Sequence, residues 1–520
     1  MTAPMNGAES LVRSLVASEV NVCFTNPGTS EMHFVAALDS VPGMRCVLGL
    51  FEGVVTGAAD GYYRLSDKPA STLLHLGPGL ANGMANLHNA KKAHSGIVNV
   101  VGDHATYHLE HDAPLTSDIE AVAAPMSNWV KSSPKAEGIA ADGALAVEVA
   151  RTGAGQIATL ILPADTAWNA GGTPVTANAP APRASVDKDA VVAAAKALTA
   201  AGSGGMLMLG NVALRESTLN LAGRISAKTG CRLLSEGQNA RLQRGAGRVK
   251  IERVPYVVEM ALGVLKDVTH MVLCGAKQPV AFFAYPNKPS VLTPEGCQIT
   301  KLATVDMDLE GALESLAAEL GCLNEAPAHM ADLARPEAPG GEITLDKIAA
   351  VLGALLPENA IVVDESVTSG RGFFPLTAGA PAHCWLNGMG GSIGYAMPVS
   401  VGAAVAAPDR KVVTLEGDGS GMYTMQSLWT MARENLDVTI IVFANRAYRI
   451  LQGELTNVGV QNPGPRAVDM LTLDRPTIDW TSMAKSLGVE SSRATDCDEL
   501  IRALNHGLAS DGPYLIELVM

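Results

Sequence analysis

The sequence predicts an α/β protein of three consecutive doubly wound domains with mainly parallel sheets. Its 520 residues are too many for one hydrophobic core and suggest about three domains. Two Pro/Ala-rich stretches, 171–182 and 324–341, read as linkers of limited flexibility and divide the chain into segments 1–175, 185–325 and 342–520. In each segment short β-rich runs, such as Val98-Asn99-Val100-Val101, Met206-Leu207-Met208-Leu209 and Ile361-Val362-Val363, precede Gly- or Ala-rich helical stretches. Continuous apolar strands alternating with helices are the pattern of parallel sheets buried on both faces.

In the first segment, Cys46–Phe51 reads as a strand that ends on Glu52 and runs into a helix of small residues, Gly53 to Arg64. By itself, a glutamate opening a helix is a favourable charge at the positive end of the helix dipole. His75, in Leu73-Leu74-His75-Leu76-Gly77-Pro78-Gly79, ends a strand before a glycine turn. The Val98–Val101 strand is followed by a loop holding His104, His108 and His111. The middle segment carries Gly204–Asn211 and Val272–Ala276, neither of which is a GxGxxG turn opening a helix with an acid at the expected distance.

In the third segment the run Val412-Val413-Thr414-Leu415-Glu416 leads into Gly417-Asp418-Gly419-Ser420. A helix-like stretch spans Met422 to Glu434, and the strand Val438–Phe443 delivers Asn445. That unit places an acid and an amide at the carboxyl ends of two parallel strands, where open α/β sheets bind ligands. Oxygen donors suit a hard, octahedral Mg²⁺, and the glycines let backbone N–H groups approach an anion at a helix N-terminus. These residues point to Mg²⁺ plus a diphosphate.

Composition narrows the partners. With 48% apolar and 17% charged residues, the chain has the balance of a packed globular protein. Net charge is −14 and no Lys/Arg cluster occurs, so no nucleic-acid partner is expected. Residues 1–9 have neither a basic region nor an apolar one, and no apolar run is long enough to span a bilayer, so a cytoplasmic location without membrane contact is expected. Eight cysteines without a CxxC pair read as reduced, buried thiols and not as zinc ligands.

Gly417-Asp418-Gly419-Ser420, with twenty-four residues before Asn445, resembles the metal–diphosphate motif of the thiamine-diphosphate (ThDP) enzymes. Thr25-Asn26-Pro27-Gly28-Thr29-Ser30-Glu31, the Glu52 segment, Leu76–Gly83 and Leu386–Pro398 follow in that family's order. The resemblance covers essentially the whole chain, in the branch of acetolactate synthase, pyruvate oxidase and benzoylformate decarboxylase. It implies pyrimidine-binding, central and diphosphate-binding domains, in that order. It also implies that Asp418, Asn445 and the Ala447 carbonyl hold Mg²⁺, and that Gly417, Gly419, Ser420, Tyr423 and Thr368 contact the cofactor. Ile393 would wedge between the cofactor's two rings, and Glu52 would activate it through N1′ of the aminopyrimidine. ThDP and Mg²⁺ are therefore the expected cofactors; without a flavin signature in the middle segment, FAD is not expected. In this family Glu52 of one subunit meets Asp418 and Asn445 of another, which implies a homo-oligomer, dimer or tetramer.

The resemblance further implies a 2-oxo acid substrate that loses CO₂ to leave an enamine carbanion. Decarboxylases protonate it, synthases join it to a second carbonyl, and oxidases pass its electrons to a flavin. Histidine is the side chain best placed to move protons near neutral pH. His75 matches a catalytic histidine of benzoylformate decarboxylase; a histidine satisfied by backbone is the alternative. His111 lies close to a histidine pair of pyruvate decarboxylase, although for His104, His108 and His111 alike an exposed polar loop residue is an equal reading. Thr29 stands where benzoylformate decarboxylase has its active-site serine and keeps a hydroxyl with added bulk. That enzyme's second histidine has no counterpart in Gln278–Pro286, where Phe282, Phe283 and Tyr285 either line a hydrophobic mouth or pack into the core. Ile450 and Leu451 fall where relatives shape the acyl pocket. The expected activity is decarboxylation of a 2-oxo acid in the manner of benzoylformate decarboxylase. The alternative is an acetolactate-synthase-like carboligase that joins the carbanion to a second 2-oxo acid or aldehyde.

Overall fold

The computed structural model describes residues 5–520. The first sheet contains β1 (Val22–Thr25), β2 (Arg45–Leu48), β3 (Ala70–Leu74), β4 (Ile97–Asp103), β5 (Trp129–Ser132) and β6 (Ile157–Pro163), in the order β2-β1-β3-β4-β6-β5, all parallel. The middle segment forms β7 (Gly205–Leu209), β8 (Arg232–Ser235), β9 (Leu242–Arg244), β10 (Glu252–Arg253), β11 (His270–Cys274) and β12 (Gln298–Ala303). Its parallel sheet has the order β10-β8-β7-β11-β12. The third sheet is built from β13 (Ile361–Glu365), β14 (His383–Asn387), β15 (Val412–Gly417), β16 (Val438–Ala444), β17 (Glu490–Ala494) and β18 (Tyr514–Val519). Its order is β17-β18-β16-β15-β13-β14-β9, so the middle segment lends it one strand, β9, which pairs antiparallel with β14.

No helix or strand lies between Trp168 and Lys188 or between Glu319 and Leu345. The first of these stretches is strapped to the helix Gly7–Ala17: the Val175 N–H donates to Ser14 Oγ (3.0 Å) and the Ala177 N–H to Ser18 Oγ just beyond it (2.8 Å). Strands β4, β6 and β16 are buried along their whole length, which is why they are written as mainly apolar runs; two of the polar exceptions satisfy each other, the Asn99 amide donating to Thr159 Oγ1 (3.0 Å). Of the stretch expected as one helix from Met422 to Glu434, only Ser427–Glu434 is helical; 422–426 form turns that separate it from a short helix Asp418–Gly421. At the break the Thr424 hydroxyl donates to the Gly394 carbonyl (3.0 Å), a tertiary bond that offsets the lost helical ones.

Each sheet has a switch point where strand order reverses, between β1 and β3, β7 and β11, and β13 and β15. Crevices for ligands form there, beyond the carboxyl ends of the strands. The first switch point presents Asn26 and His75, and the third presents Ser366 and Asp418. At the middle one the backbones of Gly210 and Gly275 touch, so that a Cβ on either would run into the carbonyl of the other.

The first and third segments pack through two helices, Glu52–Ser66 and Ala396–Ala406, whose backbones are in contact. A Cβ on Gly402 would collide with the Ala58 carbonyl oxygen, and one on Gly61 with that of Val399. Gly402→Ala is therefore expected to destabilise the fold by about 3 kcal/mol, the upper end for overpacking, because backbone and not a flexible side chain is in the way. Urea denaturation of the two proteins measures it.

His383 is fully buried, donates from Nδ1 to the Pro381 carbonyl (2.7 Å) and has no partner on Nε2 among the described residues. Burial, and then the nearby Arg244, push its pKa down from 6.5 to about 3. The unfolded chain takes up this proton near pH 6.5 and the folded one does not, so stability falls as pH drops from about 6.5 toward 3. His383→Gln is expected to flatten the decline of Tm between pH 7 and 4.5 by on the order of a few °C per pH unit. Parallel slopes for the two proteins would remove His383 from the acid response.

Candidate active site

Glu52 is the first residue of its helix and is buried; the Asn82 amide donates to its Oε2 (3.0 Å). A Cβ on Gly79 would lie 3.2 Å from both Glu52 Oε1 and His75 Cβ, so the carboxylate and the base of the His75 side chain border the same glycine. His75 directly follows β3 and caps the helix Leu76–Ala93; Leu76 behind it is fully buried at φ +48, a strained conformation for leucine. His75 Nδ1 lies 2.9 and 3.2 Å from the two oxygens of Glu31. Glu31 is buried and also accepts from the Gly28 N–H (2.7 Å) and the Ser30 hydroxyl (2.6 Å). Because a carboxylate only accepts, Nδ1 carries the hydrogen, and Nε2 makes no hydrogen bond among the described residues. The packing requires two glycines: a Cβ on Gly28 would enter the His75 ring, and one on Gly102 the Glu31 carboxylate. An imidazole oriented by a buried acid is the arrangement of a working acid–base group.

The other candidates in this segment fall differently. Thr29 is exposed and its hydroxyl is unbonded among the described residues, whereas Ser30 Oγ lies 3.3 Å from His75 Nδ1. His111 is exposed at the end of the turn Thr106–His111, 3.7 Å from Glu110. Its ring packs on His108 and that of His108 on His104, each pair 5.5 Å apart, away from the hydrogen bonds of the His75–Glu31 pair. Glu31 has no assigned role in the sequence reading; its signal, an acid three residues after Gly28, becomes informative only once β1 and β3 are neighbours.

In the third segment Asp418 directly follows β15, is buried, and accepts from the Gly419 N–H (2.9 Å) and the Arg446 N–H (2.6 Å). That second bond ties it to the Asn445–Ala447 turn, in which Asn445 Oδ1 accepts the Ala447 N–H (3.0 Å) and Arg446 sits at φ +57. Burial pushes the Asp418 carboxyl pKa up against these two N–H bonds, and a bound cation would restore its charge. Asp418, Asn445 and the Ala447 carbonyl form an all-oxygen set with one carboxylate, which suits Mg²⁺ completed by phosphate oxygens and water. Among the described residues no group of three His, Cys, Asp or Glu could hold a metal by itself. Ser420 Oγ donates to Glu416 Oε1 (2.7 Å), and Tyr423, half exposed, packs on Gly394 beside Ile393. Thr368 lies in the turn after β13, next to Val367 at φ +49, and its hydroxyl is unbonded among the described residues.

Two further acids sit beneath this site. Glu365 and Glu416 are register partners on β13 and β15, and both are buried. Burial raises Glu365 to about 7 although three backbone N–H groups favour its charged form, and burial and then Glu365 raise Glu416 well above the usual carboxylate range.

Ile393 lines a cleft of about 1410 Å³ together with Ser366, Val367, Ile450, Leu451, Phe282 and Phe283. Phe282 and Phe283 are half exposed and meet edge to face at 4.8 Å, while Tyr285 is buried in the core; two of the three aromatics thus line the mouth and one packs. Glu52, His75, Asp418 and Asn445 do not line this cleft. Within one chain the Glu52 region reaches the Ile393 loop through Asn86, whose amide donates to the carbonyls of Gly53 (2.8 Å) and Gly394 (3.3 Å).

The N-terminal TPP binding domain of thiamine pyrophosphate enzymes matches residues 5–122, and the C-terminal TPP binding domain matches residues 372–518. The chain belongs to the thiamine pyrophosphate enzyme family. This ThDP enzyme is 51% identical over 517 residues to a Mycobacterium tuberculosis protein provisionally named acetolactate synthase large subunit IlvX, covering 99% of each chain. It is 27% identical to benzoylformate decarboxylase of Pseudomonas aeruginosa over 95% of each chain. Its fold is similar to that of the ThDP-dependent 4-hydroxybenzoylformate decarboxylase of Rhodococcus jostii RHA1, with a TM-score of 0.86 at 23% identity, covering 99% of this chain and 98% of that one. Glu31, Glu52 and His75 fall in the N-terminal match; Ile393, Asp418 and Asn445 fall in the C-terminal one.

Proposed function

We propose that this enzyme, with ThDP and Mg²⁺, decarboxylates a 2-oxo acid and delivers a proton to the carbon that has lost CO₂. The observation that supports this reading is His75, oriented by buried Glu31, with its Cβ and Glu52 Oε1 on either side of Gly79. When bound, ThDP supplies the electron sink for carbanion chemistry. Asp418, Asn445 and the Ala447 carbonyl would hold Mg²⁺, the Gly417–Ser420 turn would hold the diphosphate, and Ile393 would support the rings. Glu52, fixed at one oxygen by Asn82, would have the other free for the aminopyrimidine. His75, with Nδ1 committed to Glu31, has Nε2 to carry the proton. In one chain neither Glu52 and His75 nor Asp418 and Asn445 line the Ile393 cleft, and we propose that a second copy completes each site in a homo-oligomer.

A second reading, carboligation of an acetolactate-synthase type, is supported by the volume of the Ile393 cleft, which has room for a second 2-oxo acid or aldehyde. It is also supported by the name of the 51% identical relative. Apolar contacts from Ile450, Leu451, Phe282 and Phe283 discriminate by only about 1–3 kcal/mol per methylene, so the acyl group is a matter for a substrate panel.

The test is an end-point assay of the enzyme with ThDP and Mg²⁺ against 2-oxo acids, recording CO₂ and organic products together. Aldehyde equal to CO₂ supports the decarboxylase. One ketol acid per CO₂, with two pyruvates consumed, supports the carboligase, and no CO₂ from any acid overturns both. His75→Ala is expected to slow aldehyde formation by roughly 10²- to 10⁴-fold, the range for loss of a general acid, with ThDP affinity kept. Unchanged aldehyde formation would remove His75 from the proton path.

A further inference from the structure

Glu365 and Glu416 lie outside the motif residues, yet they hold the two backbone segments between which the cofactor is received. Glu365 ends β13 and Glu416 is the penultimate residue of β15, side by side in register at the switch point of the third sheet. Glu365 Oε1 accepts the Gly394 N–H (2.7 Å), and its Oε2 accepts those of Tyr395 and Ala396 (2.9 Å each). These are the three amides that follow Ile393, and they lead into the helix Ala396–Ala406. Glu416 Oε1 accepts the Ser420 hydroxyl (2.7 Å) and the Gly417 N–H (3.2 Å), so it holds the Gly-Asp-Gly-Ser turn; its Oε2 is buried without a partner. From the other side, the buried Thr424 hydroxyl donates to the Gly394 carbonyl (3.0 Å) and joins the same two segments.

We propose that Glu365 and Glu416 form a bracket that sets the distance between the Ile393 loop and the Gly417–Ser420 turn, so that the rings and the diphosphate of ThDP are received in one spacing. Both are positioning residues, acting through backbone amides and Ser420. Glutamine at 365 has one acceptor oxygen and would turn an N–H₂ group toward amides that are themselves donors, freeing the loop that carries Ile393. Glutamine at 416 keeps an oxygen for Ser420, whereas leucine does not.

The inference rests on the reading that Ile393 and the Gly417–Ser420 turn receive ThDP, and the experiment separates the two. Dissociation constants for ThDP with Mg²⁺ are measured by tryptophan fluorescence on cofactor-free protein, together with the circular dichroism of the bound aminopyrimidine at saturation. Glu365→Gln and Glu416→Leu are expected to weaken binding by roughly tenfold or more, the worth of one hydrogen bond to a charged group, and to diminish the dichroic signal even when saturated. Glu416→Gln is expected to restore most of both. Thr424→Val, which removes one hydroxyl without changing shape, guards against a folding failure of Glu365→Gln and is expected to weaken binding severalfold. Wild-type affinity and signal in Glu365→Gln and Thr424→Val would overturn the bracket. A wild-type protein that binds no ThDP in the presence of Mg²⁺ would overturn the cofactor-site reading, and the bracket with it.

Discussion

Glu52→Gln is expected to lower turnover by roughly 10³-fold while ThDP still binds, within the 10²- to 10⁴-fold range for a positioned acid–base group. The substitution keeps the shape and the contact with Asn82 but removes the carboxyl that would exchange a proton with the aminopyrimidine. Glu52 is buried beside Gly79 and His75, so no solvent carboxylate is positioned to replace it. Two measurements separate activation from binding: the ThDP dissociation constant, and the exchange rate of the thiazolium C2 proton of the bound cofactor followed by NMR. Binding within a few-fold of wild type, with exchange slowed in step with turnover, is the expected pair of results. Full turnover in Glu52→Gln would end the activation role.

Asp418→Asn is expected to weaken ThDP binding in the presence of Mg²⁺ by at least about 100-fold. Asparagine can still accept the Arg446 N–H and so preserves the joint between the two turns. It removes the single negative charge of an otherwise neutral donor set, and substitutions that merely touch a ligand from outside already cost 10- to 100-fold in metal affinity. Chelation should mimic the variant: wild-type enzyme dialysed against EDTA is expected to lose ThDP and to regain it with added Mg²⁺. Calorimetric titration that gives the same affinity for both proteins, with or without chelator, would remove Asp418 from the metal site.

Much of the architecture is legible in the chain because buried parallel strands are mainly apolar along their length; Ile97–Val101 and Val438–Phe443 announce themselves. Two features escaped. The three residues of β9 are too short for a pattern, and they pair with a strand about 140 residues away, in another segment of the chain. The run Met422–Glu434 has helical character throughout, yet it breaks where Thr424 finds the Gly394 carbonyl. Thr29 and His111 are candidates by resemblance alone; the structure adds that the hydroxyl 3.3 Å from His75 Nδ1 is that of Ser30, and that the His111 ring packs on His108.

By itself, the sequence determined the groups whose chemistry is set by near neighbours. Gly-Asp-Gly-Ser and Asn445 each lie at or just past the end of a strand that carries them, and Glu52 opens the helix that buries it, so short motifs were enough for the family resemblance to nominate them. Only the tertiary structure decided the contacts that orient these groups. Glu31 and His75 are 44 residues apart and meet because β1 and β3 are adjacent at a switch point. Glu365 and Glu416 meet because β13 and β15 pair in register. Strand order is settled by the packing of whole helices and sheets, an energy spread over the entire core, and no short stretch of sequence records it.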